Sequence, residues 1–97
     1  MLDAVCFHAQ QCVEKYLKAW LTQQQLPFPR THDLEALAKL CLPQVSEFVA
    51  IMPELRFLTS FAVEIRYPGT SAMKQDAGRC LRTAREARRI LRIRLGV

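Results

Sequence analysis

Apolar positions recur every three or four residues along most of the chain, and prolines cut that pattern into segments. The first segment predicts a helix from about Leu2 to Gln25. Val5, Ala9, Cys12, Tyr16 and Trp20 fall on one apolar stripe of it. His8, Gln11, Lys15 and Lys18, spaced 3, 4 and 3 apart, form a polar stripe beside it. Phe7, Val13, Leu17 and Leu21 lie off the apolar stripe, so this helix is apolar nearly all round and some of these residues call for a partner surface. "LPFPRT" ends the helix, because Pro27 and Pro29 push the residues before them out of the α region and hold an extended connector.

Thr31 is the expected N-cap of a second helix, with Asp33 in its first turn and Leu34, Leu37, Ala38 and Cys41 as its apolar stripe. Pro43 interrupts the chain, and "QVSEFVAIM" reads as a short apolar helix or turn. Pro53 suits the first turn of the next helix, "ELRFLTSFAVEIR", in which Leu55, Leu58, Ala62 and Ile65 keep the 3-4-3 spacing. Pro68 ends that segment and Gly69 supplies a turn. Ser71 is the expected cap of a last helix from about Ala72 to Leu95. Its apolar stripe is Met73, Ala77, Cys80, Leu81, Ala84, Ala87, Leu91 and Leu95. No strand pattern and no repeat interrupts the series. The expectation is one all-α domain over residues 1–97, an antiparallel bundle of four to five helices.

Composition changes this picture little. The chain is 51% hydrophobic and 24% charged, as in an ordinary globular domain, and no apolar run approaches the roughly 20 residues a membrane span needs. Asp3 and His8 interrupt any leader-like stretch, so a cytoplasmic location is expected. Cys6, Cys12, Cys41 and Cys80 form no C-x-x-C pair and fall within helical patterns, where buried reduced thiols are expected and no metal site.

Charge changes it more. Residues 1–73 hold six Lys/Arg against seven Asp/Glu, whereas residues 74–97 hold eight against two. The excess positive charge therefore sits on the last helix, where an anionic partner would dock. Seven of those eight cations are Arg, whose guanidinium pairs carboxylate or phosphate bidentately. The candidate basic face is Arg79, Arg82, Arg85, Arg89 and Arg92. No aromatic is interleaved with them for base stacking, so any nucleic-acid binding would be phosphate-driven and salt-sensitive.

Three stretches, "FHAQQCVEKYLKAWL", "RTHDLEAL" and "IRYPG", together resemble the HEPN domain (higher eukaryotes and prokaryotes nucleotide-binding) in order and approximate separation. They span residues 7–69, and the arginine-bearing last helix is similar to the family's closing helix. Two departures stand out. The family usually places another amphipathic helix before the one holding "FHAQQ", so the chain is either a shortened version or starts earlier than Met1. HEPN ribonucleases resemble one another in an Arg, then four to six residues, then a His. Here Arg66 stands at the matching helix end, but Ser71, Ala72 and Met73 follow, and no histidine comes after His32.

The residues themselves leave two readings of the polar stripe open. His8, Gln11, Lys15 and Lys18 are either a solvated face, with Glu14 pairing Lys18, or one wall of a polar groove. His32 beside Asp33 is either part of a capping network or a member of that groove. Arg66 and Tyr67 either complement a helix dipole or grip a phosphate. No nucleophile with a visible base, no carboxylate pair and no phosphate-cradling glycine loop is present in the pattern. The resemblance then implies a non-catalytic binding module with no cofactor. It implies a homodimer that partners a small nucleotidyltransferase in a toxin–antitoxin-like pair, with nucleotide as a further ligand. The alternatives are an RNA-binding or RNA-cleaving HEPN protein and a purely structural helical dimer.

Overall fold

The computed structural model describes residues 2–62 and 73–96. Among the described residues, four α-helices and one 3-10 helix follow in order: α1 Leu2–Gln23, α2 Leu34–Cys41, the 3-10 segment Ser46–Ile51, α3 Met52–Thr59 and α4 Lys74–Leu95. The result is the all-α bundle that the periodicity predicts.

The connector after α1 decides the topology. α1 ends in a Schellman turn: Leu26 N–H donates to Leu21 O at 2.9 Å and Gln25 N–H to Thr22 O at 3.0 Å. Gln25 takes the left-handed position at φ 59°, a place more often held by glycine. The chain then runs back along α1, because the buried Gln10 side chain donates from Nε2 to His32 O at 3.0 Å. Residue 10 lies about 20 Å below the end of α1 at 1.5 Å per residue. Nine residues of extended backbone reach about 30 Å, so the two prolines hold a connector long enough to make the return.

Asp33, rather than Thr31, caps α2: its Oδ1 accepts from Glu35 N–H at 3.0 Å and Ala36 N–H at 3.2 Å. Thr31 supports it by accepting from Asp33 N–H through Oγ1 at 3.0 Å. The third orphan donor, Leu34 N–H, finds Thr59 Oγ1 at 3.0 Å on α3. α2 and α3 therefore lie antiparallel, with Arg56 pairing Glu35 beside that contact. The 3-10 segment and α3 run antiparallel to α4, since Glu54 meets Arg79 and Glu47 meets Arg94. α1 and α4 point the same way: the thiol of Cys6 sits beside that of Cys80, and Tyr16 and Ala19 share a hollow with Leu95. Ser71 and the Val63, Glu64 and Ile65 turn of the expected third helix lie outside the described residues. Met73 occupies the N-cap position of α4, its N–H donating to the Asp76 carboxylate at 3.0 Å.

The core of α1 is not the expected stripe. Cys6, Val13, Leu17, Trp20 and Leu21 are buried against α2, α3 and α4 together with Ala9. Val5 and Tyr16 are half-buried, and Cys12 is exposed, contrary to the expectation of four buried thiols. Val13, Leu17 and Leu21 thus need no second copy to cover them. α2 buries the four residues its spacing predicts, Leu34, Leu37, Ala38 and Cys41. On α4, Ala77, Cys80, Ala87 and Leu91 are buried as expected and joined by Ile90, while Met73 and Leu81 are exposed. Thr83 is buried and donates its hydroxyl to Arg79 O at 2.9 Å. Among the described residues, no helix is long and apolar enough to cross a membrane.

Candidate functional site

Two side chains of α1 enter the protein interior as polar groups: Gln10, fully buried, and Glu14, 7% exposed. They stand four residues apart, on the flank of α1 that faces the returning connector and α2. A buried carboxylate and amide need partners, and here nearly every lone pair and proton has one. Glu14 Oε1 accepts from Gln10 Nε2 at 3.1 Å and lies 2.8 Å from His32 Nδ1. Glu14 Oε2 accepts from Lys18 Nζ at 2.9 Å. The second Gln10 amide proton goes to His32 O, and its Oε1 accepts from Gln11 Nε2 at 2.7 Å. Burial pushes the Glu14 carboxyl upward, but hydrogen bonds from Lys18, His32 and Gln10, with the Lys18 charge, outweigh it. The net pKa lies below the ordinary carboxylate value.

The short Glu14–His32 contact fixes the imidazole with its Nδ1 proton toward the carboxylate. A carboxylate that orients an imidazole is half of an acid–base device. Among the described residues, no hydroxyl or thiol is hydrogen-bonded to the His32 ring, and no group of His, Cys, Asp and Glu could hold a metal ion. The cluster as it stands ties the connector to α1.

The stripe His8, Gln11, Lys15 and Lys18 does not converge on one point. Lys18 and Gln11 are drawn into the Glu14 cluster. Lys15 is exposed beside Tyr16, Ala19 and Leu95. His8 is exposed, its ring edge on Phe7, and faces a different cavity with Arg85 and Arg88. Arg66 and Tyr67 lie outside the described residues.

The basic face divides in the same way. Arg79 forms a two-pronged pair with Glu54, both bonds 2.8 Å, and its guanidinium lies 3.8 Å above the Phe57 ring. Arg89 pairs Glu86 one turn before it. Arg82, Arg85 and Arg92 have no carboxylate partner among the described residues. Arg88, which the charge pattern did not single out, belongs with them and lines two neighbouring cavities together with Arg85. Sequence reasoning also missed Gln10. The available signal was its place between Cys6, Val13 and Leu17, whose spacing of seven and four marks the buried side.

A comparison against known families gives the chain's relationship. The family model described as HEPN domain matches residues 1–94. The chain belongs to the HEPN family. No curated protein and no solved structure matches it. Within this HEPN domain, the "FHAQQ" stretch therefore supplies two things at once. Its Gln10 is interior and holds the connector, while its His8 faces outward on the α4 side.

Proposed function

We propose that this HEPN domain is a non-catalytic binding module that partners a small nucleotidyltransferase, in a toxin–antitoxin-like pair, and contributes cationic side chains to a nucleotide's phosphates. The observation that carries the reading is the division of its charges. The Glu14 cluster is satisfied internally, whereas Lys15, Arg82, Arg85, Arg88 and Arg92 have no carboxylate partner among the described residues. Unpaired cations on one side of a small domain favour an anionic ligand. Lys15, exposed at the hollow it shares with Tyr16, Ala19 and Leu95, is the strongest phosphate candidate on α1. The absence of a histidine after Arg66 in the sequence supports the non-catalytic part.

Titration calorimetry of ATP into the chain alone, and into the chain with a small nucleotidyltransferase of the same genome, tests the proposal. A desolvated charge-assisted contact contributes about 1.5–3 kcal/mol. Lys15→Ala is therefore expected to weaken nucleotide binding roughly 10- to 150-fold. No binding in either sample, or a variant that binds like the parent, would sink the nucleotide reading. The proposal includes a homodimer, whose support is narrower than the apolar pattern suggested, because Val13, Leu17 and Leu21 are core. Among the described residues, Val49, Met73 and Ile93, each at least 60% exposed, with Leu40 and Leu81, are the large apolar groups left for such a contact. A monomeric mass by light scattering at micromolar concentration would remove it.

RNA binding is the second reading, favoured by the unpaired arginines alone. RNA cleavage that disappears in Arg66→Ala would make it the better one.

A further inference from the structure

On the opposite flank of α1 from the Glu14 cluster, the seam between α1 and α4 opens into a groove of about 450 Å³. Val5, Ala9 and Cys12 line it from α1, and Leu81 and Ala84 from α4. Leu81 is 41% exposed there. Arg85 and Arg88 edge this groove and also an adjoining hollow of about 290 Å³ that reaches Arg92. The three arginines are spaced 3 and 4 apart, which places them on one stripe of α4 beside the apolar lining.

Among the described residues, no carboxylate satisfies that stripe. Glu14, Glu35, Glu47, Glu54 and Glu86 are each committed to a Lys or Arg. Asp33 caps α2, Asp76 accepts from Met73 N–H, and Asp3 is also engaged. A second copy laid on the groove would bring arginine against arginine without a free carboxylate among the described residues. A nucleic-acid backbone would leave the apolar lining of Val5, Ala9, Cys12, Leu81 and Ala84 unused, and His8 is the one ring in that lining on which a base could stack. The chemistry that meets both halves is an amphipathic helix whose apolar ridge is bordered by carboxylates.

We propose that the α1–α4 groove, with its Val5–Cys12–Leu81 lining and the Arg85–Arg88–Arg92 stripe, docks a helix of a partner protein. That helix carries Glu or Asp at a spacing of three and four beside an apolar stripe. The seam continues to the hollow formed by Lys15, Tyr16, Ala19 and Leu95, so the bound helix runs about four turns along α1, from Val5 to Ala19. The inference rests on the domain being a binding module, but not on the partner being a nucleotidyltransferase nor on nucleotide binding.

Cys12 gives the test its readout, because it is the exposed thiol in the groove while Cys6, Cys41 and Cys80 are buried. The full chain is labelled with a thiol reagent in the presence of a synthetic helical peptide. The peptide has about 16 residues, a Leu/Ala stripe and three Glu at the matching spacing. Saturating peptide should slow Cys12 labelling on the order of tenfold or more, and the same peptide with Lys for Glu should not. Arg85→Ala and Arg88→Ala should each weaken peptide binding roughly tenfold or more at an unchanged melting temperature. Protection by oligo-uridine but not by the peptide would replace the proposal with nucleic-acid binding. Protection that grows with protein concentration alone would replace it with self-association. Absent protection, or protection indifferent to both arginine variants, would overturn it. A failed ATP titration would leave this result standing, so the two proposals fall separately.

Discussion

The two flanks of α1 treat charge in opposite ways. On the α2 side, Glu14 is nearly buried, yet its two oxygens meet Gln10, Lys18 and His32. On the α4 side, His8, Arg85 and Arg88 border an open apolar groove with no carboxylate near enough to pair among the described residues. The first flank is closed, because desolvation makes an unmet partner costly there and selects a complete set. The second tolerates unpaired cations because water still solvates them. A closed polar cluster specifies how the chain folds, whereas an open one is available for what the chain meets.

The largest effect should come from the ridge between the flanks. Leu17 is fully buried at the centre of the core, and Leu17→Ala should cost about 2–5 kcal/mol in urea unfolding, whichever flank is then tested. The comparison itself is sharpened by the next pair. Glu14→Ala removes the acceptor for three donors and should cost about 1–3 kcal/mol. Arg88→Ala should leave the unfolding midpoint where it was. Equal destabilisation by both would break the distinction between closed and open flanks.

pH separates them further. The folded-state pKa of Glu14 lies below its ordinary value of 4.5, so the folded protein binds fewer protons there than the unfolded chain. The stability it contributes is complete above 4.5 and is lost as pH falls through the lowered folded value. The gap between the parent and Glu14→Gln in urea midpoint should therefore be widest near neutrality and close in acid. A gap that is constant down to about pH 3 would show that the carboxylate's charge is not what binds the cluster.

The smallest expected effect concerns the turn that sends the connector toward the first flank. Gln25 holds a left-handed backbone, and Gln25→Gly should raise stability by up to about 1 kcal/mol. A loss instead would mean that the Gln25 side chain, rather than its backbone, matters there.

Much of this was readable from residue order. The bundle, the proline-bounded segments and the α2 stripe of Leu34, Leu37, Ala38 and Cys41 follow directly from period 3.6. The family resemblance rested on "FHAQQCVEKYLKAWL", "RTHDLEAL" and "IRYPG", and the family match extends over residues 1–94. The face of α1 was harder to read. It is apolar on more than half its circumference, so two overlapping stripes fit the sequence, and tertiary packing chose the one through Cys6, Val13 and Leu17. That choice put Gln10 inside and Cys12 outside. Apart from the i,i+3 pair of Glu86 and Arg89, the pairing of arginines was not legible, because it depends on which glutamate lies across a helix boundary. Glu54 and Glu47 reach Arg79 and Arg94 from segments distant in sequence.

The side-by-side packing of the first helix on the last has a consequence for synthesis. Cys6 waits for Cys80, and Tyr16 for Leu95, across almost the whole chain. At about 5–20 residues per second, a ribosome extrudes α1 several seconds before α4 exists to cover it. Until then, among the described residues, Leu17 and Trp20 have the segments before α4 to cover them. The nascent chain thus exposes apolar surface of α1 until α4 emerges, and truncation within α4 should yield a species that a holding chaperone captures rather than a shorter folded domain.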